Sequence, residues 1–82
     1  MDKIVCYIDS MALSQKALSP DGTEHMVPSE VFAESIVGMC SKYNVNRVHL
    51  FGNKFFIEGV MDEISAKEME TYSTNKIEFE VN

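Results

Sequence analysis

The sequence predicts one small α/β domain spanning residues 1–82, with two helices on a mixed five-stranded sheet. Three features predict it. The run Lys3-Ile4-Val5-Cys6-Tyr7-Ile8-Asp9 is almost unbroken in apolar residues and rich in β-branched and aromatic ones, as a central strand requires. Two later segments repeat apolar residues at spacings of three and four, the signature of amphipathic helices. The C-terminal segment Lys76-Ile77-Glu78-Phe79-Glu80-Val81-Asn82 alternates apolar and polar strictly, as a half-covered strand does.

In chain order, residues 3–9 form β1, expected to be covered on both faces. Ala12–Leu18 and Thr23–Val27 read as the arms of a hairpin, β2 and β3, around Ser19-Pro20-Asp21-Gly22. Pro in the second and Gly in the fourth position suit a type I turn. The alternative, an irregular loop of about 18 residues, is uncommon in a compact domain. Pro28-Ser29-Glu30 reads as a helix start, with Ser29 capping through its hydroxyl and Glu30 at the positive end of the dipole. In the helix that follows, α1, Val31, Phe32, Ile36, Val37, Cys40 and Tyr43 make one apolar stripe, and Asn44 suits a left-handed C-terminal residue. Gly38 costs roughly 1 kcal/mol against Ala in mid-helix, so it is expected to permit close packing on the sheet.

Val45–Phe51 reads as β4, ended by Gly52-Asn53. Asn53 caps α2, which begins at Lys54 and buries Phe56, Ile57, Val60, Met61 and Ile64, with Met69 and Tyr72 extending the stripe. Residues 65–74 contain no strong stop. A rival reading pairs Glu70–Thr74 with Ile77–Val81 as a hairpin about Asn75-Lys76, and is disfavoured because neither turn residue is Gly. Ile77, Phe79 and Val81 give β5 its core face. The order is thus β1-β2-β3-α1-β4-α2-β5. Strand–helix–strand units favour parallel pairing, so β1, β4 and β5 form a parallel set and the β2–β3 hairpin extends the other edge antiparallel.

Thirteen acids against seven bases give a net charge of −6, and the bases stand singly along the chain. Nucleic-acid binding runs on clustered Lys and Arg, so that role is disfavoured. No apolar run approaches the roughly 18 residues that cross a bilayer, so no membrane partner is expected. The N-terminus lacks a long apolar core and a cleavage site and reads as a strand rather than a signal peptide, which points to a cytoplasmic protein. Cys6 and Cys40 fall on apolar faces without metal-ligand spacing to each other or to His25 and His49, so they read as structural thiols, with a disulfide or a metal site as the alternative.

VCYIDS resembles the first strand of the ribonuclease H-like superfamily, which carries an acid at or near its end, here Asp9. SIVGMCSKYNVNRVHLFGN is similar to the helix, turn and fourth strand of its Holliday-junction resolvase-like branch. The resemblance implies a ribonuclease H-like topology. It also implies, as one alternative, a divergent nuclease in which carboxylates hold two Mg²⁺ or Mn²⁺ ions. Only Asp9 matches by position, Gly52 and Asn53 stand where the family places an acid, and Glu58 and Asp62 on α2 are the substitutes within reach of that alternative.

Open α/β sheets bind ligands beyond the carboxyl ends of their strands, which would gather Asp9, Ser10, Gly52, Asn53 and Lys54 as a small-ligand or nucleotide crevice. The free N–H groups of α2 and Lys54 suit an anion there, but no phosphate-binding glycine loop accompanies them, and Asn53 as a plain cap and Asp9 as a turn-bonding strand end are the favoured readings. A Ser10–His49–Asp9 arrangement is set aside, because His49 sits inside a strand and no nucleophile elbow is present. Phe55, Phe56 and Ile57 are consecutive, so one helix face cannot bury all three. Phe55 is either an exposed interface residue, with Phe56 beside it, or packs under the tail after Ile64. Together with the small core and the uncovered β5 edge, this leads to the expectation of a non-catalytic protein-binding or assembly module. It is expected to be a homo-oligomer paired through its helices, or bound to another protein, with no cofactor.

Overall fold

A computed structural model of the chain describes residues 2–9, 11–71 and 76–82. The expected order is observed: β1 (Ile4–Ile8), β2 (Ser14–Leu18), β3 (Glu24–Pro28), a 3-10 turn η1 (Ser29–Val31), α1 (Phe32–Tyr43), β4 (Arg47–Gly52), α2 (Lys54–Glu70) and β5 (Glu78–Val81). The strands form one sheet in the order β3-β2-β1-β4-β5. β1–β4 and β4–β5 pair in parallel, while β1–β2 and β2–β3 pair antiparallel. The hairpin turn is closed by Gly22 N–H donating to the Ser19 carbonyl at 2.9 Å, with Gly22 at φ +87°.

Registers divide the sheet into two faces. Ile4, Cys6 and Ile8 lie beside Val48 and Leu50 of β4 and Ala17 of β2, and together with Phe32, Ala33, Ile36, Val37, Cys40, Ile57 and Ile64 of the helices they form the core. Both helices therefore lie on one face. β1 is not covered on both sides, as its apolar run led one to expect. On its second face Val5 is shielded by sheet neighbours, Leu18 and His49, and Tyr7 stands 40 % exposed beside Lys16 and Phe51. Each fully buried Ile contributes roughly 1.5–3 kcal/mol through apolar burial, so Ile4, Ile36, Ile57 and Ile64 are the main struts.

Local differences have physical causes. α1 begins at Phe32 rather than at Glu30, because the Ser29 hydroxyl does not cap the helix but donates to the Ala12 carbonyl at 3.0 Å. Val31, at the 3-10 end, is consequently exposed. Gly38 faces solvent with nothing within 4 Å of where a Cβ would sit, so it permits no close sheet contact. Asn44 ends α1 in the left-handed conformation, φ 54° and ψ 48°. On α2, Ile57 and Ile64 are buried, while Phe56 and Met69, which helical spacing turns away from the Ile57–Ile64 row to either side, are exposed. α2 continues to Glu70, so that residue is helical and not part of a hairpin. Thr71 is the C-terminal cap of that helix; residues 72–74 of the rival strand, including Tyr72, and the first turn residue Asn75 lie outside the described residues. Both cysteines are free, buried thiols, and burial pushes Cys6 up to about 12 and Cys40 up to about 11.

Candidate functional site

The candidate site is a groove of about 310 Å³ beyond the carboxyl end of β1, bounded by the start of α1 and the first turns of α2. Ile8, Phe32, Phe55, Phe56 and Val60 give it apolar walls, while Asp9, Gln15, Ser29 and Glu63 add polar groups.

Gln15 holds the floor. Its side chain faces the core side of β2 in the row beyond Ala17 and continues the β1–β2 ladder with side-chain atoms. Oε1 accepts from the Asp9 N–H at 2.7 Å, and Nε2 donates to the Asp9 carbonyl at 2.8 Å and to Ser29 Oγ at 3.0 Å. Ser29 ties the other end, its N–H donating to the Leu13 carbonyl at 2.8 Å. Gln15 is buried and fully satisfied, the condition under which a buried amide stabilises rather than costs. Asp9 in turn closes a tight turn, its Oδ1 accepting from Met11 N–H at 3.1 Å. This clip presents Met11 and Leu13 to solvent at 87 % and 90 % exposure.

The opposite wall starts at Asn53, whose Oδ1 accepts from Phe55 N–H at 2.9 Å and caps α2. Gly52, one residue earlier, has φ +137°, and a Cβ there would collide with the Ile8 carbonyl oxygen. That close approach brings the β1 and β4 ends together and sets the direction in which α2 departs. Phe55 is then left 79 % exposed, with Phe56 edge-to-face at 5.5 Å and 40 % exposed. Phe55 therefore does not pack under the C-terminal tail.

Of the residues singled out in the sequence, Asp9, Phe55 and Phe56 line the groove together. Gly52, Asn53 and Lys54 do not line it, and Ser10 lies outside the described residues. Glu58 and Asp62 are exposed on α2 and do not line the groove with Asp9; Glu63 does. Among the described residues, no group of three or more His, Cys, Asp or Glu is placed to hold a metal ion. His49 lies on the sheet face away from the helices, stacked on Phe51 at 4.3 Å with Lys3 and Glu80 at its Nδ1. Gln15, Ser29 and Glu63 were not legible as site residues. Glu63 follows from Phe56 at helical spacing, but the partners of Gln15 and Ser29 are set by tertiary contacts alone.

Chemically, the groove combines three aromatic rings with two carboxylates. Such a set is chemically complementary to an apolar group beside a positive charge. Among the described residues, no helix is long and apolar enough to cross a membrane. No protein-family model, no curated protein and no solved structure matches this chain.

Proposed function

We propose that this domain is a small, non-catalytic protein-binding or assembly module that docks its partner at the groove beside Phe55 and Phe56. Phe55 carries the reading. A large aromatic side chain at the first turn of a capped helix stands in solvent next to a preformed apolar hollow. Exposed aromatics beside a pocket are the usual anchors of protein interfaces. The hollow is at the small end of ligand pockets, about 300–1,000 Å³, and suits anchoring side chains better than a nucleotide.

The partner's chemistry follows from charge. Asp9 and Glu63 line the groove, Asp62 falls by helical spacing on the Phe55 side of α2, and Lys54 is the single base in the first turn of the helix. A segment with an aromatic or aliphatic anchor next to Lys or Arg is complementary. A second copy presenting the same end would set acid against acid, so pairing centred on Phe55 is disfavoured at neutral pH. The strand order, with β1, β4 and β5 parallel and an antiparallel hairpin on the other side, supports the proposal that the scaffold is ribonuclease H-like.

Selection from a random peptide library displayed on phage tests the docking proposal. The expected outcome is a set of binders sharing an apolar anchor beside a basic residue, which lose affinity for Phe55→Ser at unchanged circular dichroism. Binders that are acidic, or that bind Phe55→Ser as well as wild type, would overturn it.

A further inference from the structure

The sheet face away from the helices is the second surface that the described residues leave uncovered. Its rows follow from the registers: Glu24, Leu18, Val5, His49 and Glu80 in one, and Met26, Lys16, Tyr7 and Phe51 in the next, with Arg47 and Glu78 below. The middle is apolar and aromatic. Tyr7 and Phe51 stack at 5.4 Å, His49 stacks on Phe51, and the Lys16 ammonium lies 4.8 Å over the Tyr7 ring. The acids Glu24, Glu78 and Glu80 stand on the edge strands β3 and β5, and the bases Lys16, Arg47 and Lys3 lie on or next to the inner strands, paired as Lys16–Glu24 at 3.1 Å, Arg47–Glu80 at 3.0 Å and Lys3–Glu80 at 3.5 Å. An apolar centre inside a polar rim is the anatomy of a protein interface.

Charge identifies the occupant. The face carries three bases, Lys3, Lys16 and Arg47, and three acids, Glu24, Glu78 and Glu80, so it is neutral while the chain as a whole carries −6. All of the net charge lies elsewhere on the molecule. A highly acidic chain that meets its own copy through the acidic groove end or helix surface meets like charge. Through this face it meets a balanced surface rich in opposite-sign pairs.

We infer that two copies of this chain associate face to face through the open sheet, centred on Tyr7 and Phe51, leaving the Phe55 groove free on the far side. Five strands about 4.8 Å apart and about 17 Å long present roughly 400 Å² in projection. That is below the ~800 Å² per partner of a standard stable interface, so the dimer is reversible and concentration-dependent.

Sedimentation velocity across micromolar to millimolar concentrations tests this on wild type, Tyr7→Glu, Lys16→Glu and Phe55→Ser. Wild type and Phe55→Ser are expected to dimerise alike, and Tyr7→Glu to stay monomeric. Lys16→Glu leaves the core untouched, so it decides the matter even if Tyr7→Glu fails to fold. It turns the neutral face to −2 per copy and is expected to weaken dimerisation at least about tenfold, with partial recovery at high salt as the repulsion is screened. A wild type that stays monomeric throughout, or Lys16→Glu dimerising like wild type, would overturn the inference. So would association lost in Phe55→Ser and kept in Lys16→Glu. The inference does not depend on the groove binding any peptide, so the two proposals fail separately.

Discussion

One substitution, glycine to alanine, is expected to act in opposite directions at two positions. At Gly52 the backbone has φ +137°, a region that L side chains rarely occupy, and the new methyl would meet the Ile8 carbonyl oxygen, with the carbonyl carbon at 3.2 Å. Those atoms belong to the β1–β4 pairing, where Ile8 opposes Gly52, so nothing flexible can move aside. Backbone strain of this kind costs about 1–3 kcal/mol, and the collision adds to it. The total stability of 82 residues, at roughly 0.05–0.15 kcal/mol each, is about 4–12 kcal/mol. Gly52→Ala therefore removes a large share. Gly38 lies in the middle of α1 with open space at its Cβ position and no positive φ, so Gly38→Ala should recover the helix propensity difference, about 1 kcal/mol. In a domain of this size that raises Tm by about 4–8 °C. Urea unfolding followed by circular dichroism reads both. A Gly52→Ala variant within about 0.5 kcal/mol of wild type, or a Gly38→Ala variant that unfolds more easily, would refute the reasoning.

Further expectations rest on single groups. Asn53→Ala strips the α2 cap and should cost about 1 kcal/mol in urea unfolding, while Asn53→Asp should retain the stability. Gln15→Leu leaves the Asp9 N–H and carbonyl without their partners and should cost about 1–3 kcal/mol, a loss that Gln15→Glu recovers only in part because its carboxylate cannot donate to the Asp9 carbonyl. Stability should fall in alkali. The raised Cys6 and Cys40 thiols contribute fully below the ordinary thiol value near 9, and the contribution is lost as pH rises towards about 12 for Cys6 and about 11 for Cys40. Cys6→Ala with Cys40→Ala should flatten the alkaline limb of the curve. In acid the sign reverses. The Ser19 hydroxyl and the Thr23 N–H hold the Asp21 carboxyl well below the usual carboxylate range, so its contribution is present above about pH 4 and disappears as pH falls further. Asp21→Asn should remove that part of the acid limb.

Much of the fold was legible because its determinants are local. The Asn44 and Asn53 side chains suit a left-handed helix end and an N-cap, and both residues do those jobs. The stripe on α1 and the alternation of β5 carry their own geometry. What escaped was decided by contacts far apart in sequence. Ser29 has the chemistry of a cap, but its hydroxyl is committed to Ala12 across 17 positions. The apolar run of β1 looked covered on both sides, yet Val5 is hidden by its sheet neighbours rather than by a helix, and a run of apolar residues cannot distinguish the two. The triplet Phe55-Phe56-Ile57 announced surplus apolar surface, and one ring is indeed in solvent. The hollow beside it depends on Gln15 gripping Asp9, which no spacing rule encodes.

Mapping of backbone amide shifts, as a selected basic–apolar peptide is titrated into the labelled protein, tests the docking proposal most directly. The expected result is a single footprint over Ile8, Asp9, Gln15, Phe55, Phe56, Gly59, Val60 and Glu63, the residues around the groove. Shifts confined to Val5, Tyr7, Lys16 and Phe51 on the open sheet face, or scattered without saturation over the acidic surface, would contradict it.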